Sequence, residues 1–284
     1  NAESARVISL LSCELVNLRT IQLLSMSKIV FITGATSGFG EACAYKFAAN
    51  GYDCILNGRR TDRLQSLADA LELKYNVAVL QLPFDVQNEK AVFESIQNIP
   101  AGWQAIDILI NNAGLALGRD YFEEADLNDW NTMIDTNIKG FLYVAKAVSQ
   151  LMTRRYISTG IPGHIINMGS VAGKEIYEKG NVYCATKFAV DALNQAMRID
   201  LLRHNIKVTA IHPGAADTEF SVVRFKGDET TAKKIYDGLN PLTAEDVAEV
   251  IWYCTTLPPH VCINDLTITC TQQANAIYFN RTPA

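Results

Sequence analysis

The sequence predicts a single α/β domain in which helices cover both faces of a parallel sheet of seven strands. Short, near-continuous apolar runs alternate with helical patterns along the chain, as in sheets that are buried on both sides. A turn with three glycines joins the first apolar run to the first helical pattern. No linker rich in Pro, Gly or Ser divides the 284 residues, a length that one large α/β unit can hold.

The elements follow one another as repeated strand and helix units. The apolar, β-branched run at residues 27–33 predicts the first strand, and the pattern after Gly40 becomes helical. Further strands are predicted at residues 53–57, 77–82, 106–111, 164–168, 207–211 and 266–269. Helices are predicted at residues 41–49, 62–74, 88–98, 126–155, 181–204 and 243–256. Such alternation is typical of a doubly wound sheet.

Composition and charge restrict the class of partner. Hydrophobic residues make up 49% and charged residues 19% of the chain, which indicates a globular protein with a large core. The net charge of −5 gives no positive field for nucleic acid or an anionic membrane, so we expect a small-molecule substrate. The seven cysteines form no Cys-x-x-Cys pair and the four histidines share no motif, so we expect no metal site and reduced, cytoplasmic thiols. We interpret the histidines as structural or surface residues.

The first 25 residues do not fit the strand and helix repeat. Their apolar stretches are interrupted by Glu14, Asn17 and Arg19, so we expect no membrane span there. Met26 directly precedes the first predicted strand. We interpret residues 1–25 as a leader, either upstream of the native start or added to it, and residues 26–284 as one domain.

The glycine-rich turn at residues 33–40 predicts a dinucleotide site. Glycines permit a tight turn, close approach of the backbone to a pyrophosphate and close packing of the next helix, whose free N–H groups attract anions. The turn lies where a strand passes into a helix, which is the context that such a site requires. The cofactor contacts expected here are Gly34, Thr36, Ser37, Gly38, Phe39 and Gly40.

The end of the second predicted strand indicates which dinucleotide binds. An NAD-binding protein usually has an acidic residue here that bonds the ribose 2′-hydroxyl. Gly58 lacks the carboxylate that would repel a 2′-phosphate, and Arg59 and Arg60 supply planar cationic donors suited to phosphate. We therefore predict NADP(H). The alternative is that both arginines are solvated residues at the start of a helix.

Tyr183 and Lys187 are the candidate reaction centre. They are four residues apart in a predicted helix, so they lie one turn apart on one face. A neighbouring cation favours the phenolate, and lowering a tyrosine pKa from about 10 to about 7 requires roughly 4 kcal/mol. Such a tyrosine exchanges protons near neutral pH. The alternative is that the two side chains share a helix face by chance.

These motifs, in this order, resemble the classical short-chain dehydrogenases/reductases. The resemblance covers residues 27 to about 270 and implies a Rossmann fold and an NADP-dependent oxidoreductase that acts on a CH–OH group. The turn at residues 33–40 resembles the family's Thr-Gly-x-x-x-Gly-x-Gly, and residues 111–114 match its Asn-Asn-Ala-Gly. The residues that match the family's Asn-Ser-Tyr-Lys tetrad are Asn137, Ser170, Tyr183 and Lys187.

The resemblance also implies what each tetrad residue does. Tyr183 would exchange a proton with the substrate oxygen, and Lys187 would stabilise the phenolate and bond the nicotinamide ribose. Ser170 would hold the substrate oxygen as charge develops, and Asn137 would position a water in the proton path. The alternatives are a helix asparagine with satisfied hydrogen bonds at 137 and a helix cap or turn hydroxyl at 170.

Further cofactor contacts follow from the same resemblance. Thr218 is expected to bond the nicotinamide amide, although it could simply cap a helix. The other positions expected to line the cofactor are Asp85 and Val86 at the adenine, Asn112, Ala113 and Gly114 after the fourth strand, and Pro213 and Gly214 after the sixth.

The substrate prediction depends on a charged loop at residues 221–229, within a lid expected at about 217–240. Arg224 could bind a carboxylate with two hydrogen bonds and Lys226 could assist, alongside Ser170 and Tyr183, although both charges could instead be solvated. The sequences of this loop, of residues 172–183 and of residues 257–264 resemble the NADP-dependent 3-hydroxy acid dehydrogenases, which oxidise serine and allo-threonine.

Two other functions stay open. One is a reductase of 3-oxoacyl thioesters, sugars or other carbonyls that uses the same tetrad, and the other is a non-catalytic NADP-binding regulator.

The helix at residues 181–204 and the region at 141–151 are apolar on more than one face, which fits the family's usual homotetramer.

Overall fold

The computed structural model describes residues 27–282, so our interpretation of residues 1–25 as a leader lies outside the described residues. The described part forms a sheet of seven parallel strands in the order β3-β2-β1-β4-β5-β6-β7. The strands are β1 (Ile29–Ile32), β2 (Asp53–Asn57), β3 (Val79–Leu82), β4 (Ile106–Asn111), β5 (His164–Met168), β6 (Lys207–Pro213) and β7 (Asp265–Ile268). The predicted doubly wound sheet is confirmed.

The helices alternate with these strands as predicted. They are α1 (Gly38–Ala48), α2 (Thr61–Tyr75), α3 (Glu89–Gln97), α4 (Leu127–Ile134), α5 (Phe141–Thr159), α6 (Asn181–Asp200), α7 (Glu219–Arg224), α8 (Glu229–Lys234) and α9 (Ala244–Thr256). None of the helices in residues 27–282 combines the length and the apolar character needed to cross a membrane. Two elements differ from the prediction. The helix expected at 126–155 is divided into α4 and α5 by a π-helical turn at Asp135–Gly140. The lid expected at about 217–240, with its charged loop at 221–229, contains two helices that were not predicted, α7 and α8.

The core lies on both faces of the sheet. On one face, Cys43 and Phe47 of α1 pack with Ile251 of α9 against the strands. On the other face, Ile96 of α3 and Val148 of α5 do so. All five side chains are almost completely buried. The strands are therefore apolar on both sides, which explains why their sequences read as near-continuous apolar runs.

The order of the strands places a crevice at one edge of the sheet. The chain builds β2 and β3 on one side of β1 and then crosses to β4 on the other, so the segments after β1 and β4 separate. Thr33 fixes this edge, because its hydroxyl oxygen accepts hydrogen bonds from the backbone N–H groups of Asn112 (2.9 Å) and Ala113 (3.0 Å). The Asn112 side chain donates in turn to the Thr33 carbonyl oxygen at 2.8 Å. The crevice is thus preformed by the protein itself.

Candidate active site

A cleft of about 780 Å³ opens at the carboxyl ends of the strands, a volume typical of ligand sites. Of the residues predicted from the sequence, Gly40, Asn137 and Lys226 lie outside the cleft lining, and Ser170 and Arg224 lie within it. The predicted cofactor residues that line the cleft are Gly34, Thr36, Ser37, Gly38, Phe39, Arg59, Arg60, Asp85, Val86, Asn112, Ala113, Gly114, Tyr183, Lys187, Pro213, Gly214 and Thr218.

The glycine turn requires glycine at three positions. Gly34 has φ +64° and Gly38 has φ +54°, which is the left-handed region that side chains disfavour. A Cβ at Gly40 would collide with the carbonyl oxygen of Gly34, so Gly40 shapes the turn from behind the cleft. Helix α1 begins at Gly38 and presents its free N–H groups at this turn. The turn therefore fits a pyrophosphate, as a dinucleotide cofactor requires.

The two arginines after β2 have different surroundings. The Arg59 side chain is 62% exposed, so its guanidinium is accessible to a ligand phosphate. It lies 3.4 Å from an Asp85 carboxylate oxygen. Arg60 instead donates to the Thr36 hydroxyl at 3.0 Å and to the Ser37 hydroxyl at 3.0 Å. It also donates to the Glu219 carboxylate at 2.8 Å. Arg60 therefore connects the glycine turn to the first residue of the lid helix α7.

Glu219 is a feature of this end of the cleft that the sequence did not reveal. Its carboxylate also accepts a hydrogen bond from Arg63 at 3.0 Å. Burial acts to raise the pKa of Glu219, but the hydrogen bonds from Arg60 and Arg63 prevail and hold it below its usual value. Gly58 has a steric role as well, because a Cβ there would lie 2.7 Å from the Thr36 side chain.

Tyr183 and Lys187 reach the cleft from the first two turns of α6. Both side chains are buried, and the Lys187 ammonium lies 6.0 Å from the centroid of the Tyr183 ring. That ammonium donates a hydrogen bond to the Met168 carbonyl oxygen at the end of β5, at 2.8 Å. The predicted pair is thus brought together on one helix face, with its cation fixed by the sheet.

Burial dominates the electrostatics of this pair. It raises the pKa of Tyr183, against the opposing effects of the Ser170 hydroxyl and the Arg224 charge. Burial also lowers the pKa of Lys187 to about 8. The described residues therefore do not by themselves produce the lowered tyrosine pKa that we expected from the sequence. The phenolate needs a further positive charge close to the ring.

The lowered pKa of Lys187 predicts a pH-dependent stability. The unfolded chain holds this proton up to about pH 10.5 and the folded chain only to about 8, so the unfolded state binds more protons between these values. The contribution of Lys187 to the free energy of unfolding should therefore rise by about 3 kcal/mol across this range. Urea titrations of the wild type, Lys187→Met and the exposed control Lys90→Met measure it. If the free energy of unfolding of the wild type changed with pH in parallel with that of Lys187→Met, the lowered pKa of Lys187 would be contradicted.

Asn137 lies in the π-helical turn between α4 and α5, a distortion that often marks functional positions. Its side-chain oxygen accepts from the Leu115 backbone N–H at 2.9 Å, and its amide donates to the Leu115 carbonyl oxygen at 2.7 Å and to the Thr186 hydroxyl at 3.1 Å. A Cβ on Gly114 would lie within 3.7 Å of both the Asn137 oxygen and the Lys187 ammonium. Asn137 therefore stands behind Gly114, on the same side of the cleft as Lys187.

Ser170 begins a 3₁₀ turn immediately after β5. Its hydroxyl oxygen accepts a hydrogen bond from the Ala172 backbone N–H at 3.1 Å, so the cap anticipated as an alternative does form. The same hydroxyl lies in the cleft and favours the ionised form of Tyr183. Thr218 likewise caps α7, by accepting from the Phe220 N–H at 3.3 Å, while it lines the cleft. Capping and lining the cleft coexist at both residues.

The two lid cations are placed differently. Arg224 is only 9% exposed, and its guanidinium lies 5.4 Å from the centroid of the Tyr183 ring and 5.5 Å from that of Tyr177. Lys226 lies 2.9 Å from the Asp129 carboxylate and outside the cleft. The structure places Arg224 beside Tyr183 in the cleft and pairs Lys226 with Asp129 outside it.

Sequence reasoning missed several residues of this site. Tyr177 and Arg119 line the cleft beside Arg224, and Ile277 and Phe279 reach it from the segment after β7. The apolar and aromatic character of residues 276–279 was the available signal, since such residues after a last strand need a surface to cover. His212, behind Ser170, was interpreted only as structural or surface.

The chain as a whole is similar to known proteins. The family model described as "short chain dehydrogenase" matches residues 28–229. The chain is 49% identical over 237 residues to the NADP-dependent 3-hydroxy acid dehydrogenase YdfG of Salmonella typhi, covering 83% of this chain and 92% of the relative. It is 46% identical over 249 residues to sulfoacetaldehyde reductase 2 of Chromohalobacter salexigens, covering 88% and 96%. The solved closed form of serine dehydrogenase complexed with NADP+ superposes with a TM-score of 0.81 at 46% identity, covering 89% of this chain and 100% of that one.

Proposed function

This chain belongs to the short-chain dehydrogenase family, and from that premise we propose that it is an NADP-dependent 3-hydroxy acid dehydrogenase. It interconverts short 3-hydroxy acids, such as serine and allo-threonine, with the corresponding 3-oxo acids. One observation carries the substrate class: a buried guanidinium, that of Arg224, lies 5.4 Å from the ring of Tyr183. A carboxylate bound to this cation would hold the neighbouring hydroxyl group near the tyrosine.

The cofactor assignment is supported by the glycine turn and by the accessible guanidinium of Arg59. The turn fits a pyrophosphate, and Arg59 supplies a charge suited to a 2′-phosphate, while Gly58 itself brings no carboxylate that would repel it. When bound, the cofactor supplies the nicotinamide that accepts or returns the hydride. Thr218 and residues 112–114 line the same cleft as Tyr183, and we expect the nicotinamide ring to lie there.

The tetrad then divides the proton chemistry. Tyr183 takes the proton of the substrate hydroxyl in oxidation and returns it to the carbonyl oxygen in reduction. Ser170 donates a hydrogen bond to that oxygen as charge develops on it. Lys187 supplies the cation that favours the phenolate once a further positive charge reaches the cleft. Asn137, held between Leu115 and Thr186, positions a water on the route by which the proton leaves.

A substrate screen tests the proposed function. With NADP+, we expect turnover of serine, allo-threonine and other short 3-hydroxy acids such as 3-hydroxyisobutyrate and 3-hydroxypropionate, followed by the absorbance of the reduced cofactor. Uncharged alcohols of the same length should react far less well, because they give Arg224 no partner. Equal efficiency with charged and uncharged alcohols would contradict the substrate class. Cofactor binding without any turnover would indicate a regulatory protein instead.

A second candidate is the reduction of a short aldehyde that carries an anionic group. A relative at 46% identity is a sulfoacetaldehyde reductase, and a sulfonate, like a carboxylate, is an anion with two oxygens that can accept hydrogen bonds from Arg224. Adding sulfoacetaldehyde with NADPH to the screen separates the two. A higher kcat/KM for the sulfonate than for any 3-oxo acid would favour the second candidate.

Replacing Arg224 tests the carboxylate clamp directly. We expect Arg224→Ala to raise KM for serine by roughly 10- to 100-fold, because a buried charged hydrogen bond contributes about 1.5–3 kcal/mol. Arg224→Lys keeps the charge but loses the fork of two donors, so it should recover only part of that loss. KM for NADP+ should change little in both variants. An unchanged KM for serine in Arg224→Ala would rule out the clamp.

The assembly and location are part of the same proposal. We infer a cytoplasmic homotetramer, supported by apolar side chains of α5 and α6 that stay exposed in one chain, among them Ile157 (71%), Phe188 (39%) and Ile199 (74%). The six cysteines in the described part of the chain are free thiols, as expected in a reducing compartment. Light scattering on the purified protein tests the tetramer.

A further inference from the structure

His212, near the carboxyl end of β6, lies directly behind Ser170. Its side chain is completely buried. The ring atom Nδ1 lies 3.2 Å from the Ser170 carbonyl oxygen and 3.4 Å from the Ser170 backbone nitrogen. The other ring nitrogen, Nε2, lies 3.0 Å from a carboxylate oxygen of Asp265 at the start of β7. One imidazole therefore joins the main chain of the candidate catalytic serine to a carboxylate.

That carboxylate belongs to an ion cluster formed by Lys174, Asp191 and Asp265. The Lys174 ammonium donates to Asp191 at 2.9 Å and to Asp265 at 2.8 Å, and Asp191 lies 3.7 Å from His212 Nε2. One carboxylate oxygen each of Asp191 and Asp265 and one ring nitrogen of His212 all lie within 4.8 Å of one another. Here the Lys174 ammonium lies between the carboxylates, in the place that a cation would take, so the chain supplies the positive charge itself.

The Lys174 cluster connects the elements that carry the reaction centre. Lys174 follows the 3₁₀ turn that Ser170 begins, and Asp191 is on α6, one turn beyond Lys187. Asp265 belongs to β7, which pairs with β6 next to His212. A Cβ on Gly169 would collide with the His212 ring, so the backbone just before Ser170 packs directly on the imidazole. The orientation of Ser170 therefore depends on this ring.

We propose that His212 is a positioning residue, which orients Ser170 through its main chain and is held in place by the Lys174 cluster. The proposal rests on the proposed function, in which the Ser170 hydroxyl bonds the substrate oxygen. Neutral His212, with its proton on Nε2 bonded to Asp265, accepts the Ser170 N–H at Nδ1. Protonated His212 instead donates from Nδ1 to the Ser170 carbonyl oxygen. Protonation therefore changes the hydrogen-bond partner of Nδ1 from the Ser170 backbone N–H to the Ser170 carbonyl oxygen.

The charges around the ring set which form is present. Burial lowers the pKa of His212, Asp265 raises it, and Lys174 lowers it, with the balance below the usual histidine value. Asp191 is the other charged group that faces the ring. The neutral form therefore prevails at neutral pH, and the protonated form grows as the pH falls through the lowered pKa.

Two substitutions in the cluster should move this titration in opposite directions. Protonation of His212 should lower kcat, because it changes how Ser170 is held, and so should add to the acid limb that Tyr183 produces. Lys174→Met removes a repelling cation and should shift the His212 part of this limb to higher pH by roughly 0.5–1 unit. Asp265→Asn removes the favourable carboxylate and should shift it to lower pH by a similar amount. His212→Gln, which retains a hydrogen-bonding group but cannot titrate, should remove this contribution and leave only the acid limb that Tyr183 produces. The exposed control Lys90→Met should leave the profile unchanged.

Two measurements on the intact protein decide the proposal. The kcat profiles are recorded with serine and NADP+, and the imidazole of His212 and the backbone amide of Ser170 are followed by NMR, with His212→Gln as the assignment control. We expect the Ser170 amide to titrate with the His212 ring in each variant. An acid limb that stays fixed, or a Ser170 amide that ignores the ring, would overturn the positioning role. A wild type without turnover would refute the proposed function instead, and the NMR titration would still test the contact.

Discussion

Tyr183→Phe is expected to lower kcat for 3-hydroxy acid oxidation by about three orders of magnitude, while the affinity for NADPH changes by less than a few-fold. General acid–base catalysis by a positioned side chain contributes typically about 10²–10⁴-fold. The substitution removes only the hydroxyl, and the ring can keep its packing against Phe220, whose centroid is 5.7 Å away. The fold and the cofactor site should therefore remain intact, so that the loss appears in the chemical step.

Single-turnover kinetics and equilibrium NADPH titration separate these two effects. Tyr156→Phe is the matched control, because it also removes a tyrosine hydroxyl that accepts a hydrogen bond, from Asn205 at 2.6 Å, but at a position outside the cleft. We expect its kcat to equal that of the wild type. A kcat of Tyr183→Phe within tenfold of the wild-type value would show that another group carries the proton.

The fold could be predicted from the sequence because the strong signals were local. Strand β2 was predicted at its observed bounds, Asp53–Asn57, from an apolar run that ends at Gly58. The pairing of Tyr183 with Lys187 needed only the helical repeat. The break between α4 and α5 was missed, because residues 126–155 contain no proline to signal it and contacts of the π-helical turn, such as that of Asn137 with Leu115, cannot be seen in the sequence.

Residues that act through distant partners could not be identified from the sequence. Arg60 and Glu219 are 159 positions apart, so nothing local indicates that one neutralises the other. The sequence suggests Lys226 as a cation for the substrate, but the structure pairs it with Asp129. The raised pKa of Tyr183 depends on how deeply the lid and the sheet bury the ring, which the spacing of four residues cannot express. Each case requires the tertiary structure.

The preference for NADP should depend mainly on Arg59, although the sequence offers two adjacent arginines. The guanidinium of Arg60 is already bonded to Thr36, Ser37 and Glu219, whereas that of Arg59 is largely exposed beside Asp85. A charged hydrogen bond to a phosphate contributes about 1.5–3 kcal/mol. We therefore expect Arg59→Ala to raise KM for NADP+ by roughly 10- to 100-fold and to change KM for NAD+ little.

Arg60→Ala should behave differently, because it releases the glycine turn from the lid and both dinucleotides need that turn. Its KM should rise for NAD+ and NADP+ by similar factors, so that the ratio between them stays close to that of the wild type. The control for loss of surface charge is Arg203→Ala. Arg203 is exposed and lies just before β6, so it is at the opposite end of the strands. Steady-state kinetics with both cofactors distinguish the two roles. A larger loss of NADP preference in Arg60→Ala than in Arg59→Ala would contradict this assignment. Arg60 would then have to leave Glu219 when the 2′-phosphate binds, so the phosphate would displace the ion pair between these two residues.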